Sequence, residues 1–179
     1  EEYATLVVVP SLIDSAETLA KLLDDLEVRA LANPDTNLHF GLLSDFTDAA
    51  SETTPDDNTL IELALSGIAR LNQRHSTQRF ILFHRKRLQN RSSGLYMGWE
   101  RKRGKLEELN RLLRGATDTS FSHVTAPLST LLRFKNVITL DADTDLPRDV
   151  ARRLAATLAH PLNRPVVDAS GTLIARGHA

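Results

Sequence analysis

Four short apolar runs punctuate this chain: Leu6-Val7-Val8-Val9, residues 38–43, Phe80-Ile81-Leu82-Phe83 and residues 137–140. They are too short for helices and lack the alternation of half-solvated strands. They read as strands covered on both faces, as in a parallel sheet. The first ends at Pro10, the second at Ser44-Asp45. Between them apolar residues recur at helical spacing. Leu19, Leu22, Leu23, Leu26 and Ala30 form one helix, capped by Asp14 or Ser15 and ended by Asn33-Pro34. Leu60, Leu63, Ala64, Ile68 and Leu71 form a second. Leu106, Leu109, Leu112 and Leu113 form a third, closed by Gly115. Val150, Leu154 and Leu158 form a fourth, stopped before Pro161. Residues 48–57, 85–99 and 116–127 read as loops, and one more strand is expected around Thr172-Leu173-Ile174. Alternation of strands and helices implies right-handed crossovers and a three-layer α/β/α sandwich with a mainly parallel sheet.

The 179 residues suffice for one such domain or part of a larger one. A formal net charge of −1 gives no whole-chain argument for nucleic acid as a partner, although basic residues crowd between His84 and Arg114. The chain has no cysteine, which excludes disulfides, thiolate metal sites and cysteine nucleophiles. No apolar run approaches the ~20 residues that span a bilayer. The N-terminus has no signal-peptide pattern and enters a strand almost at once, so the sequence reads as a soluble piece of a longer chain.

Ligands of such sheets bind at the carboxyl ends of the strands. Those ends carry Pro10-Ser11, Ser44-Asp45, His84-Arg85 and Asp141-Ala142-Asp143. In an extended strand residues i and i+2 point the same way, so a buried strand over 137–144 would deliver Asp141 and Asp143 together. Two such carboxylates suit Mg²⁺ or Mn²⁺ bridging to a diphosphate. A solvated acidic turn is the plainer alternative, and the preceding apolar strand and following Pro147 favour the metal site. In Trp99-Glu100-Arg101-Lys102-Arg103-Gly104-Lys105-Leu106, four cations in five positions open a helix. That start is a phosphate site, or else a solvated basic face or a helix start paired with Glu107 and Glu108; a nucleic-acid site is disfavoured by the few aromatics and the balanced overall charge. Asp45 and Asp48 either meet a nucleotide or serve a loop. His84, Arg85 and Arg87 extend the basic site, or, for Lys86 and Arg87, lie on the surface. His39, His75, His123, His160 and His178 show no metal spacing and read as structural. There is neither a nucleophile elbow nor a P-loop.

Three runs carry a family resemblance. They are the eighteen positions from Gly98 to Gly115, Ile138-Thr139-Leu140-Asp141-Ala142-Asp143-Thr144-Asp145-Leu146-Pro147-Arg148, and His160-Pro161-Leu162-Asn163-Arg164-Pro165. They resemble the glycosyltransferase domain of cyclic β-1,2-glucan synthases. More distantly, the layout is similar to processive inverting transferases of the cellulose-synthase type. The resemblance implies a GT-A fold over residues 1–179, UDP-glucose as donor, a divalent cation, and inverting transfer onto a growing β-1,2-glucan. It implies a multi-pass parent synthase with this domain on the cytoplasmic side of the bacterial inner membrane. Pro10, Asp45, Lys102, Gly104 and Asp141 then match donor-binding positions, and Asp141 with Asp143 the metal pair. Arg85 and Lys105 join the donor set as basic neighbours.

Inverting transfer needs a general base. In related enzymes it lies well after the aspartate pair, so it is expected beyond Ala179, and the isolated piece is expected to hold donor and metal without turnover. Two rival readings stand beside this one. One is a binding or regulatory module that kept the fold and lost catalysis. The other is a haloacid-dehalogenase-like phosphohydrolase. That reading is weakened by Asp145 in place of a threonine and by the late position of the motif.

Overall fold

The computed structural model describes residues 4–163, 166–168 and 174–176. A five-stranded sheet forms its centre. Its strands are β1 (Thr5–Ile13), β2 (Leu38–Phe46), β3 (Phe80–Arg85), an edge strand Phe121–Val124 and a second edge strand Asn136–Thr139. A hairpin of Leu88–Gln89 (β4) and Tyr96–Met97 (β5) lies outside it, so the edge strands are β6 and β7. The order across the sheet is β6-β3-β2-β1-β7, parallel except for β6. Helices α1 (Ala16–Ala32), α2 (Asp57–Arg74), α3 (Arg101–Leu113), α4 (Leu128–Leu131) and α5 (Val150–Ala159) complete the layers. A short pair, β8 (Val166–Val167) and β9 (Ile174–Arg176), follows. Thr172, Leu173, Arg164, Pro165 and His178 lie outside the described residues.

Strand alternation divides the core. Val7 and Val9, with Phe40 and Leu42, face α1 and α2. Leu6 and Val8, with Leu43, Ile81 and Phe83, face Leu109 and Leu113 of α3 and Leu131 of α4. This is the expected α/β/α sandwich. Ser15 caps α1, its hydroxyl accepting the Thr18 N–H at 3.1 Å. At the end of α3, Gly115 has φ +91°. Its N–H reaches the Leu112 carbonyl at 2.9 Å and that of Ala116 reaches Arg111 at 3.0 Å, the double bond of a Schellman stop.

Several expectations change. The first strand runs through Pro10 to Ile13. Pairing with β7 has ended by then, at Val8 opposite Thr139, so the missing N–H costs no rung there. Strands β2 and β3 likewise extend through Ser44-Asp45 and His84-Arg85. The supposed loops 85–99 and 116–127 hold the β4–β5 hairpin and β6. Arg87, read either as part of the basic site or as a surface residue, is buried. Its guanidinium pairs with Asp57 at 2.6 Å and lies over the Phe46 ring.

The largest correction concerns the aspartate pair. Strand β7 is an edge strand in which only Ile138 is fully buried, and it stops before Asp141. Residues 141–144 form a turn, closed by the Thr144 N–H on the Asp141 carbonyl at 3.0 Å. The cause lies in α1. Buried Arg29 donates to the Ala142 carbonyl at 2.7 Å and to the Thr144 carbonyl at 3.0 and 3.2 Å. Those bonds hold the chain off the ladder, so strand geometry no longer sets the two side chains on one face.

Candidate functional site

The chain lays down β1, β2 and β3 in one direction, then places β7 on the far side of β1. Strand order reverses between β1 and β7, and in open α/β sheets the crevice at such a point takes the ligand. A pocket of about 330 Å³ opens at these strand ends, with Pro10, Ser11, Asp45, Gly98, Lys102 and Lys105 among its lining. Asp48, Arg101 and Ala142 also border it.

Its floor is a buried charge cluster. Arg85 is fully buried and grips Asp45 through two bonds, Nε to Oδ1 at 2.8 Å and Nη2 to Oδ2 at 2.9 Å. Its Nη1 donates to Glu108 Oε2 at 2.8 Å and to the Trp99 carbonyl at 3.1 Å, and Nη2 reaches the Arg101 carbonyl at 3.2 Å. A guanidinium has five N–H donors, and these contacts use all of them. Glu108 also takes the Ser120 hydroxyl and N–H, at 2.6 and 3.0 Å. Lys105 Nζ donates to the Ser11 carbonyl at 2.7 Å and pairs with Asp45 Oδ2 at 3.0 Å. Two acids and two bases thus neutralise one another out of water, which is the condition for burying them. Burial pushes the Lys105 amine below the usual lysine range, with Asp45 pulling the other way. Burial also opposes the charge on Arg85, but Asp45 and Glu108 outweigh it and leave its pKa raised.

This cluster explains two glycines. A Cβ on Gly98 would sit 2.4 Å from Asp45 Oδ2 and 2.8 Å from Arg85 Nη2. A Cβ on Gly104 would sit 2.0 Å from the Trp99 carbonyl oxygen. Gly104 therefore lets the helix start close against the preceding turn. Arg85 and Gly104 shape the site from behind, whereas Pro10, Asp45, Lys102 and Lys105 line it.

The rim is built differently. Helix α3 begins with no side-chain cap, and Glu100 and Arg101 both adopt left-handed backbone, φ +50° and +48°. The Arg101 N–H is taken by the Gly98 carbonyl at 3.0 Å, and those of Lys102 and Arg103 follow within a cluster of cations. Arg101 pairs with Asp48 at 2.6 Å, and Lys102 pairs with Asp141; all four side chains are at least partly exposed. Asp141, next to the pocket-lining Ala142, is thereby tied to the start of α3. Asp143 borders a neighbouring cavity of about 480 Å³ with Lys21, Asp25, Arg29 and Asp145. Ala142 borders both.

Among the described residues, no group of three or more histidine, aspartate or glutamate side chains is arranged to hold a metal alone. Asp141 and Asp143 are both exposed carboxylates, the first meeting Lys102 and the second bordering the neighbouring cavity. His84, expected near the ligand, is buried instead. Its Nδ1 lies 2.9 Å from the Ser44 hydroxyl, and burial lowers its pKa to about 4. Arg29 carries no signal in the sequence, and Glu108, expected at most to pair with the basic helix start, bonds instead to Arg85 and Ser120.

No protein-family model matches the chain. The chain is similar to the cyclic beta-(1,2)-glucan synthase NdvB of Rhizobium meliloti (strain 1021). The two are 45% identical over 182 residues, which take in the whole of this chain. The match spans 6% of NdvB, a small part of a much longer protein. Among the described residues, no helix is long and apolar enough to cross a membrane.

Proposed function

We propose that this chain is the donor-binding part of a glucosyltransferase that uses UDP-glucose and a divalent cation to build β-1,2-glucan. The observation that carries the reading is the Lys102–Asp141 pair beside the pocket at the strand-order reversal. The cationic, uncapped start of α3 faces Asp141 there through Lys102. The name of the similar synthase supports the product class.

In this reading Lys102, Arg101 and the first-turn N–H groups of α3 hold the diphosphate, and Asp141 and Asp143 hold Mg²⁺ or Mn²⁺. A cation held there would supply positive charge against the negative charge that develops on a leaving diphosphate. Lys102 exchanges Asp141 for a phosphate as donor enters. Asp45, held by Arg85 and Lys105, presents a fixed wall rather than a mobile acid. No residue of the chain is assigned as general base, and the isolated chain is proposed to bind without turnover. The setting proposed for the parent protein is the cytoplasmic side of a bacterial inner membrane.

Calorimetry with UDP, with and without Mn²⁺, tests the reading. Wild-type chain is expected to bind UDP in a Mn²⁺-dependent way, and Asp141→Ala and Asp143→Ala each to lose that dependence while keeping their circular dichroism. Wild-type chain that ignores UDP in both conditions would overturn it, leaving a module without a donor site.

A further inference from the structure

Beside the rim lies a second cavity, of about 430 Å³, bordered by Gln89, Asn90, Arg91, Trp99, Glu100 and Arg101. Trp99 is the only tryptophan of the chain, and 41% of it is exposed. Gln89, Arg91 and Glu100 are exposed as well. Among the described residues, none of these three side chains makes a hydrogen bond or ion pair. The cavity thus offers an indole, an amide, a guanidinium and a carboxylate, all planar and all uncommitted.

The frame around them is fixed. Hairpin β4–β5 is closed by Asn90, whose carbonyl takes the Gly94 N–H and whose N–H reaches the Leu95 carbonyl, both at 2.8 Å. Tyr96 ties the hairpin to Ala49 by two bonds, at 2.8 and 2.9 Å. The Trp99 carbonyl is held by buried Arg85, and the two residues after it are left-handed. Strained backbone held by its surroundings is a mark of sites where placement matters. Here it fixes where the indole stands.

From this set we infer that the cavity is a saccharide subsite, taking a glucan chain as acceptor. A β-linked glucopyranose shows an apolar C–H face and a rim of hydroxyls. The C–H face suits the electron-rich face of an indole. Adjacent hydroxyls suit groups that offer paired donors or acceptors in one plane. The volume is within the range of small-ligand sites. Arg101 borders both this cavity and the 330 Å³ pocket, so a saccharide seated on Trp99 lies next to the diphosphate position. The identity of the sugar rests on the glucan-building reading above; the indole-and-polar chemistry does not.

The single tryptophan supplies the assay. β-1,2-Linked gluco-oligosaccharides are titrated into wild-type chain while indole emission and heat are followed. Saturable binding with a shift in Trp99 emission is expected, and at least tenfold weaker binding in the Gln89→Ala/Arg91→Ala double variant. Absence of both heat and emission change would overturn the inference. So would an emission shift on adding UDP and Mn²⁺ with none on adding oligosaccharide, which would seat the nucleobase on the indole. UDP affinity is measured separately, so UDP binding without saccharide binding removes this inference alone. Saccharide binding without UDP binding removes the donor reading alone.

Discussion

Arg85 does its work with every hydrogen it has. It satisfies two carboxylates and two main-chain carbonyls drawn from β2, α3 and the turn before α3. Removing it strands Asp45 and Glu108 out of water, with Lys105 as the one remaining buried cation beside Asp45. Breaking a buried pair by deleting one partner costs about 3–5 kcal/mol. Arg85→Met is therefore expected to lower the unfolding free energy by about that amount in urea titration. Arg85→Lys should fall between, since one ammonium cannot span the same acceptors. The charged residues of this cluster are plain in the sequence, but their burial is not. Asp45 and Arg85 are 40 positions apart, and the sheet register sets them side by side. A strand-end aspartate therefore reads equally well as a ligand or as an anchor until the register is known.

At the level of elements, the start of α3 is where local preference and tertiary demand conflict. Left-handed backbone costs a non-glycine residue about 1–2 kcal/mol. Glu100 accepts that cost while the nearby glycine, Gly104, sits inside the helix. The two positions predict opposite responses. Glu100→Gly relieves strain but adds about 0.4–1 kcal/mol of chain entropy on unfolding, so it should change the melting temperature little or raise it slightly. Gly104→Ala forces a Cβ into the Trp99 carbonyl and should destabilise by about 1–3 kcal/mol. Paired thermal melts of the two variants check this contrast. The main helices were legible because their apolar residues recur at helical spacing, and strands β1, β2 and β3 because each holds a short apolar run buried on both faces. Strands β4 and β5 have two residues each, too few for any period. Edge strand β6 is only partly buried and shows no alternation. The turn at 141–144 was hidden for another reason: its geometry is imposed by Arg29, more than a hundred residues earlier. The two-residue spacing of the aspartates was visible, but the extended backbone needed to interpret it was absent.

For the molecule as a whole, buried imidazoles set the acid limb of stability. The His84 pKa is depressed by burial first, with Asp45 opposing and His123 and Lys105 adding to the fall. His39 is depressed too, by burial. A depressed folded-state pKa means that the unfolded chain takes up protons first. Stability is then complete above about pH 6.5 and declines as pH falls toward about 4, with a slope of up to ~1.4 kcal/mol per pH unit for each such histidine. Denaturant titrations at stepped pH should show that decline, and His84→Gln should make it shallower. A wild-type profile flat across this window would mean that His84 is free to protonate in the folded state. The buried carboxylate Asp57 and the paired Glu27 have lowered pKa values, so their contribution is lost only further into acid.

The pocket has ion pairs of two kinds, and dissolved salt tells them apart. Below, Arg85, Lys105, Asp45 and Glu108 are almost wholly buried from water. Above, the Arg101–Asp48 and Lys102–Asp141 pairs are open to it. At physiological ionic strength the screening length is about 8 Å, and only exposed pairs feel it strongly. Ionic strength is consequently a dial on the mouth that leaves the foundation untouched. Raising it frees Asp141 from Lys102 without loosening the floor, and a multiply charged anion arriving at the same place does the same thing with direction.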